Sequence, residues 1–165
     1  MAHYKHLTNK GKCIFCEIII KTIPTPGIFW ENKEFLAFLF TWPSTEGFTV
    51  LVPKKHFSSD CLALPDKDLQ KFILAAKTIS TILLKSFKDV GRVGLIMEGT
   101  GIDHAHIKLI PMHGTAHLKK SWKQHLSGRS DYFRKYPGYI ISTDGPKADA
   151  EKLRTLANKL KKVRL

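Results

Sequence analysis

Residues 65–89, PDKDLQKFILAAKTISTILLKSFKD, restrict the fold more than any other stretch. Leu69, Phe72, Ile73, Ala76, Ile79, Leu83 and Phe87 recur at three- and four-residue steps, the period of one face of an α-helix. Pro65, Asp66 and Asp68 suit its start: proline has no N–H to leave unpaired, and acids face the positive end of the helix dipole. Gly91 is expected to end it. Leu74, Ile82 and Leu84 widen the apolar stripe, so the helix must lie on an apolar layer, with surface left for a second partner. Each such side chain stabilises by roughly 1.5–3 kcal/mol when buried.

Short β-rich runs supply that layer. GIFWEN and FLAFLFTW, separated by Glu31-Asn32-Lys33-Glu34, read as a hairpin. FTVLVPKKHF reads as a third strand closing at Pro53, where a ladder donor is missing. RVGLIMEG and AHIKLIPM are two more, joined around Gly99-Thr100-Gly101. Ahead of them, CIFCEIII is a short turn of helix or strand, broken by Pro24, Pro26 and Gly27. GYIIST reads as a short strand. Residues 144–163 read as a helix with Leu153, Leu156, Ala157 and Leu160 on one face. The expected organisation is a flexible segment over 1–12, a domain over 13–114, and a basic, aromatic-rich extension over 115–165 packed on the domain and ending in that helix.

Lys and Arg number 27 against 14 acids, a net charge of +13, which favours anionic partners. No apolar run approaches the ~20 residues that span a membrane, and MAHYKHLTNKGKC lacks the apolar core of a secretion signal. The expected compartment is therefore the cytoplasm, and the three cysteines read as thiols or metal ligands rather than a disulfide framework.

Within GIDHAHIKLIPMHG, His104, His106 and Lys108 alternate, so a strand points all three to one face. Such a row can hold a metal, hold a phosphate, or attack one. Cys13 and Cys16 form a C-x-x-C. A redox pair should follow a strand and open a long helix, which this one does not. A zinc site needs two further ligands, and His56 and His104 supply them if their strands are neighbours. His3 and His6 compete from a terminal segment. Cys61 reads as a small apolar residue, and His113, His117 and His125 as surface residues.

CIFCEII, Ile23-Pro24, FLAFL, GFTVLVPKKHF and HAHIKLIP, in this order and spacing, resemble the histidine triad (HIT) superfamily of nucleotide hydrolases and transferases, in its zinc-containing, bacterial-type branch. The likeness runs from about Cys13 to Gly114. It implies an α+β fold: an antiparallel sheet of about five strands with one long and one shorter helix, as a homodimer. It implies His106 as nucleophile, and Cys13, Cys16, His56 and His104 as ligands of a structural zinc. Three positions depart from the pattern. Lys108 replaces the third histidine, giving H-x-H-x-K. Phe40 stands where relatives carry an acid that holds a ribose. Gly99-Thr100-Gly101 stands where a polar Gly-Gln-Ser loop is usual.

The chemistry that follows is in-line attack by a neutral imidazole on a nucleotide phosphorus. The amides of Gly99 to Gly101, the Thr100 hydroxyl and the Lys108 ammonium would stabilise charge on the phosphoryl oxygens. Phe15 and Phe38 would wall a base. Lysine is a fixed cation and a poor proton donor at neutral pH, so the expected substrate is a phosphoanhydride of the dinucleoside polyphosphate type, whose leaving group needs little protonation. The alternative is non-catalytic binding of a nucleotide or nucleic acid through the basic extension, where Lys119, Lys120 and Lys123 flank Trp122. No recognised nucleic-acid motif is present, which places the enzyme reading first.

Overall fold

The structure, a computed structural model, describes residues 11–124 and 147–164. Most of the expected flexible segment lies outside the described residues, with His3 and His6. So do His125, the aromatics Tyr132, Phe133, Tyr136 and Tyr139, and the run GYIIST.

Five strands form one antiparallel sheet: β1 (Ile28–Glu31), β2 (Phe35–Leu39), β3 (Thr49–Pro53), β4 (Val93–Ile96) and β5 (Ile107–Pro111). Their order is β1-β2-β3-β5-β4. The β1–β2 hairpin closes on Asn32, whose Oδ1 accepts from the N–H groups of Glu34 and Phe35 at 2.8 and 2.7 Å. This is the side-chain turn that asparagine makes readily. β3 lies between β2 and β5, with Val50 opposite Lys108 and Leu51 opposite Ile107. That pairing brings the residues after Pro53 close to those before Ile107.

Strand alternation sorts the side chains into two layers. Phe35, Ala37, Leu39, Leu51, Ile107 and Leu109 face α2 (Asp66–Ser86) in the larger core. There they meet Phe72, Ala76, Ile79 and Leu83 of the predicted stripe. α3 (Ala150–Lys161) adds Leu153, Ala157 and Leu160 to the same core. Leu36, Phe38, Phe40, Val50 and Val52 face the other way, against Phe15 and Ile18 of α1 (Ile14–Ile19). CIFCEIII is thus a short helix, not a strand.

α2 stops at Ser86, short of the expected Gly91. Phe87 adopts an extended backbone, φ −112° and ψ 115°, and its ring is buried in the larger core. Burying that ring outweighs one more helical turn. The freed carbonyls are met by Lys119 Nζ, which donates to Leu84 and Phe87 at 3.3 Å and Lys88 at 3.5 Å. The predicted stripe is also wider than the buried one: Ile73 and Leu74 are exposed on α2, as is Leu95 on β4. β4 ends the sheet, with no strand on its outer side among the described residues. Among the described residues no helix is long and apolar enough to cross a membrane.

Candidate functional site

Cys13 precedes α1 and Cys16 lies in its first turn. An i, i+3 spacing puts both thiols on one side of the helix. Phe15 and Ile18 anchor the helix to the sheet, and the thiols then reach His56, just beyond β3, and His104, just before β5. The four ligand atoms lie within 4.8 Å of one another. His104 Nδ1 stands 3.5 Å from Cys13 Sγ, 3.6 Å from Cys16 Sγ and 3.2 Å from His56 Nδ1. Cys16 Sγ stands 3.4 Å from His56 Nδ1.

These separations test the site for a metal. A tetrahedral ion bonded to nitrogen at about 2.0 Å and sulfur at about 2.3 Å spaces its ligands by about 3.3–3.8 Å. The four separations above, 3.2–3.6 Å, lie close to those spacings. The protonation pattern agrees. His104 Nε2 donates to the Pro53 carbonyl at 2.9 Å, and a carbonyl can only accept, so Nδ1 keeps its lone pair for the cluster. Holding the outer ring N–H on a carbonyl is how ligating histidines are commonly oriented. Burial lowers the His104 pKa to about 4, keeping the ring neutral as a ligand requires. Burial, then the neighbouring Cys13, pushes the Cys16 thiol up to about 11; a bound divalent cation reverses that preference, because the thiolate is the ligand. Cys13, Cys16, His56 and His104 can therefore hold a metal ion.

His106 and Lys108 continue from His104 on the α1 side of the sheet. The two histidines precede the β5 ladder rather than lie in it, yet the alternation persists. The Phe15 ring meets the His104 ring at 5.8 Å and the His106 ring at 5.4 Å, edge-on to both. His106 Nδ1 donates to the His104 carbonyl at 2.7 Å. That fixes the proton on Nδ1 and leaves the lone pair on Nε2. Burial pushes the His106 pKa below the ordinary histidine value, against the pull of that hydrogen bond.

Phe15 and Phe38 pack edge-to-face at 5.9 Å and are 3 % and 4 % exposed. They form an apolar backing for His106 rather than an open shelf. Phe40 is buried against Phe48 and Trp42, so it offers no hydrogen-bond acceptor to a ribose. Gly99 has φ +63°, and a Cβ there would sit 2.5 Å from the Ser59 carbonyl oxygen, so only glycine fits. A Cβ on Gly101 would meet nothing within 4 Å, and Thr100 is exposed. Cys61 is buried, with its thiol 3.6 Å from the His106 carbonyl.

Sequence reasoning missed Glu98. Its carboxylate pairs with Lys108 Nζ, with both side chains largely buried. The signal was the antiparallel register: Ile96 opposes Lys108, so Glu98, two residues on, shares its face. The row is thus His104, His106 and a Lys108–Glu98 ion pair, and the lysine charge is locally balanced. Sequence reasoning also placed His113 simply on the surface. It is half-buried and bridges two loops, contacting the Asp89 carboxylate at 2.9 Å and the Glu46 carbonyl at 3.1 Å.

No protein-family model matches the chain. An uncharacterised HIT-like protein of Methanocaldococcus jannaschii is 35 % identical over 103 residues, covering 60 % of this chain and 78 % of that protein. The adenosine 5'-monophosphoramidase of Saccharomyces cerevisiae is 33 % identical over 105 residues, covering 63 % of this chain and 65 % of the enzyme. Among solved structures, a zinc-bound histidine triad family protein from Mycobacterium smegmatis superposes with a TM-score of 0.55 at 18 % identity, covering 90 % of this chain and 92 % of that one. With a relative more than a third identical matched over three quarters of its own length, and with the same fold, this chain belongs to the histidine triad (HIT) family.

Proposed function

We propose that the chain is a nucleotide hydrolase or nucleotidyl transferase working through a covalent nucleotidyl-histidine on His106. The observation that carries this reading is the His106 Nδ1 hydrogen bond at 2.7 Å. It aims a neutral Nε2 lone pair in a buried site, with an ammonium two residues away. Nε2 attacks the α-phosphorus, and the bond from phosphorus to the bridging atom breaks, releasing the leaving group. Water, or another acceptor, then attacks phosphorus on the far side, cleaving the P–N bond and returning His106. Lys108 and the amides of the Gly99–Gly101 loop stabilise the phosphoryl oxygens. The hydrolase relative in yeast supports the reaction class.

Intact-mass analysis after rapid quench with labelled nucleotides tests the intermediate. The expected result is one nucleotidyl adduct on His106, with His106→Ala abolishing it and lowering turnover at least ~10³-fold. Turnover without any adduct in His106→Ala would falsify the assignment.

Lys108 sets the leaving group. An ammonium held against Glu98 acts as a fixed charge rather than a proton donor, so a phosphoanhydride should turn over faster than a phosphoramidate, whose amine needs a proton. The yeast relative is a phosphoramidase, which makes the comparison decisive. Kinetics with a dinucleoside polyphosphate and a nucleoside phosphoramidate should show the excess on the former; the opposite ranking rejects this role for Lys108.

We assign zinc to Cys13, Cys16, His56 and His104. The donor set and spacing support it, and the Mycobacterium smegmatis neighbour is zinc-bound. When bound, the ion cross-links α1 to the ends of β3 and β5. With four protein ligands it has no open position for chemistry. Metal analysis should find one zinc per chain, and Cys13→Ser should lose it with a lower melting temperature. Full zinc retention in that variant would remove Cys13 from the ligand set.

We also take the working form to be a homodimer. The edge of β4, unpaired among the described residues, and the exposed Leu95, Ile73 and Leu74 support a self-contact. Sedimentation should give a dimer that Leu74→Lys weakens at least tenfold. A wild-type monomer at all concentrations ends this reading.

A further inference from the structure

At the far end of β5 from the cysteine–histidine cluster, cations collect around the last turn of α2. Lys85 Nζ donates to the Arg164 carbonyl at 2.8 Å. Lys119 Nζ reaches the carbonyls of Leu84, Phe87 and Lys88. Arg92 Nη1 donates to the carbonyls of Gly91 at 2.7 Å and Leu118 at 3.0 Å, beside Lys119. Lys159 of α3 lies 5.6 Å from the centre of the Phe87 ring. Lys88 is exposed on the same turn.

Elsewhere on the described surface several cations pair with acids, among them Lys54 with Glu31, Lys71 with Glu34 and Arg154 with Glu151. Here, among the described residues, none of these five pairs with a carboxylate. The neighbouring acid, Asp89, is engaged by His113 and the Gly114 N–H. Lys85, Arg92 and Lys119 are held by neutral carbonyls and Lys159 lies over the Phe87 ring, so these four are positioned without a countercharge among the described residues, while Lys88 is exposed beside them. Cations at a helix C-terminus do complement its dipole. That accounts for Lys85 and Lys119, and for Lys159 in the last turn of α3, but not for Arg92 and Lys88.

A second observation lies just along the chain from Lys119. Trp122 follows Lys119 by three residues and is 78 % exposed. A folded chain gains nothing by presenting an indole to water between Lys120 and Lys123. Fixed cations beside an open aromatic face are what a strand of unpaired bases requires: charge for the phosphates, a ring for a base to stack on.

We propose that this surface binds single-stranded nucleic acid, at a site separate from the His106 row. Affinity should come from phosphate contacts of Lys85, Lys88, Arg92, Lys119, Lys120 and Lys159, with one base stacked on Trp122. Sequence preference should be weak, because neither element reads base edges.

Fluorescence anisotropy of labelled single-stranded RNA and DNA oligonucleotides of mixed sequence tests this on the full chain. The expected result is binding that weakens about tenfold or more between about 50 and 200 mM salt. The side chains of Lys88 and Lys120 make no hydrogen bond or ion pair among the described residues, so Lys88→Glu/Lys120→Glu breaks no such contact. It should lower affinity at least tenfold with nucleotide turnover unchanged. Trp122→Ala should lower it at least about fivefold. Absence of binding at low salt, or undiminished binding by the charge-reversed variant, overturns the proposal. Equal competition by inorganic polyphosphate with no effect of Trp122→Ala also overturns it, since the ligand is then a bare polyanion. Loss of binding on Lys108→Ala alone overturns it by placing the oligonucleotide in the His106 site.

Discussion

The hydrogen bond from His104 Nε2 to the Pro53 carbonyl organises much of this molecule. It spans β3 and β5 at one end of the sheet, at 2.9 Å, and it decides which ring nitrogen of His104 faces Cys13, Cys16 and His56. The ring is fully buried. With the other tautomer Nδ1 would carry the proton and offer the cluster no lone pair for a cation. Because the carbonyl can only accept, one contact selects the tautomer, orients the ring and makes the cluster fit a cation. α1 is too short to hold its position by helix propensity. It depends on Phe15 and Ile18 in the smaller core and on what its two thiols meet.

The same construction carries forward along the chain. The His104 carbonyl accepts the Nδ1–H of His106, so the imidazole ordered by the cluster orders the next one. Phe15 covers both rings, excluding water and favouring the neutral form. Lys108 then closes the row, and its partner Glu98 comes from the segment after β4. The site therefore draws on α1, β3, β5 and the β4–β5 connection. A net charge of +13 does not make this site strongly cationic, because its lysine is paired; the excess charge lies largely elsewhere, including the far end of β5 and the close of α2.

Several features were legible in the sequence because local periodicity encodes them. The stripe of α2, the five β-rich runs and the face of α3 follow from spacings of 3.6 and 2. The donor types of the cluster follow from C-x-x-C and from histidines beside two strands. Where α2 ends was not legible. Phe87 continues the helical stripe, yet leaves the helix because its ring gains more from the core, and Lys119, more than thirty residues away, satisfies the carbonyls left behind. Ile73 and Leu74 likewise match the helical pattern but lie exposed.

The α+β layering, and the residue types available for metal and phosphate chemistry, can be read from the chain alone, since both depend on composition and on spacing within one element. Folding settles the rest: that Glu98 balances Lys108, that Pro53 sets the His104 tautomer, that Phe15, Phe38 and Phe40 are buried, and that the cations around α2 converge. Each of these turns on strand register or on contacts between distant segments. Sheet pairing selects such contacts by burying one face of every strand at once, and no local pattern specifies that.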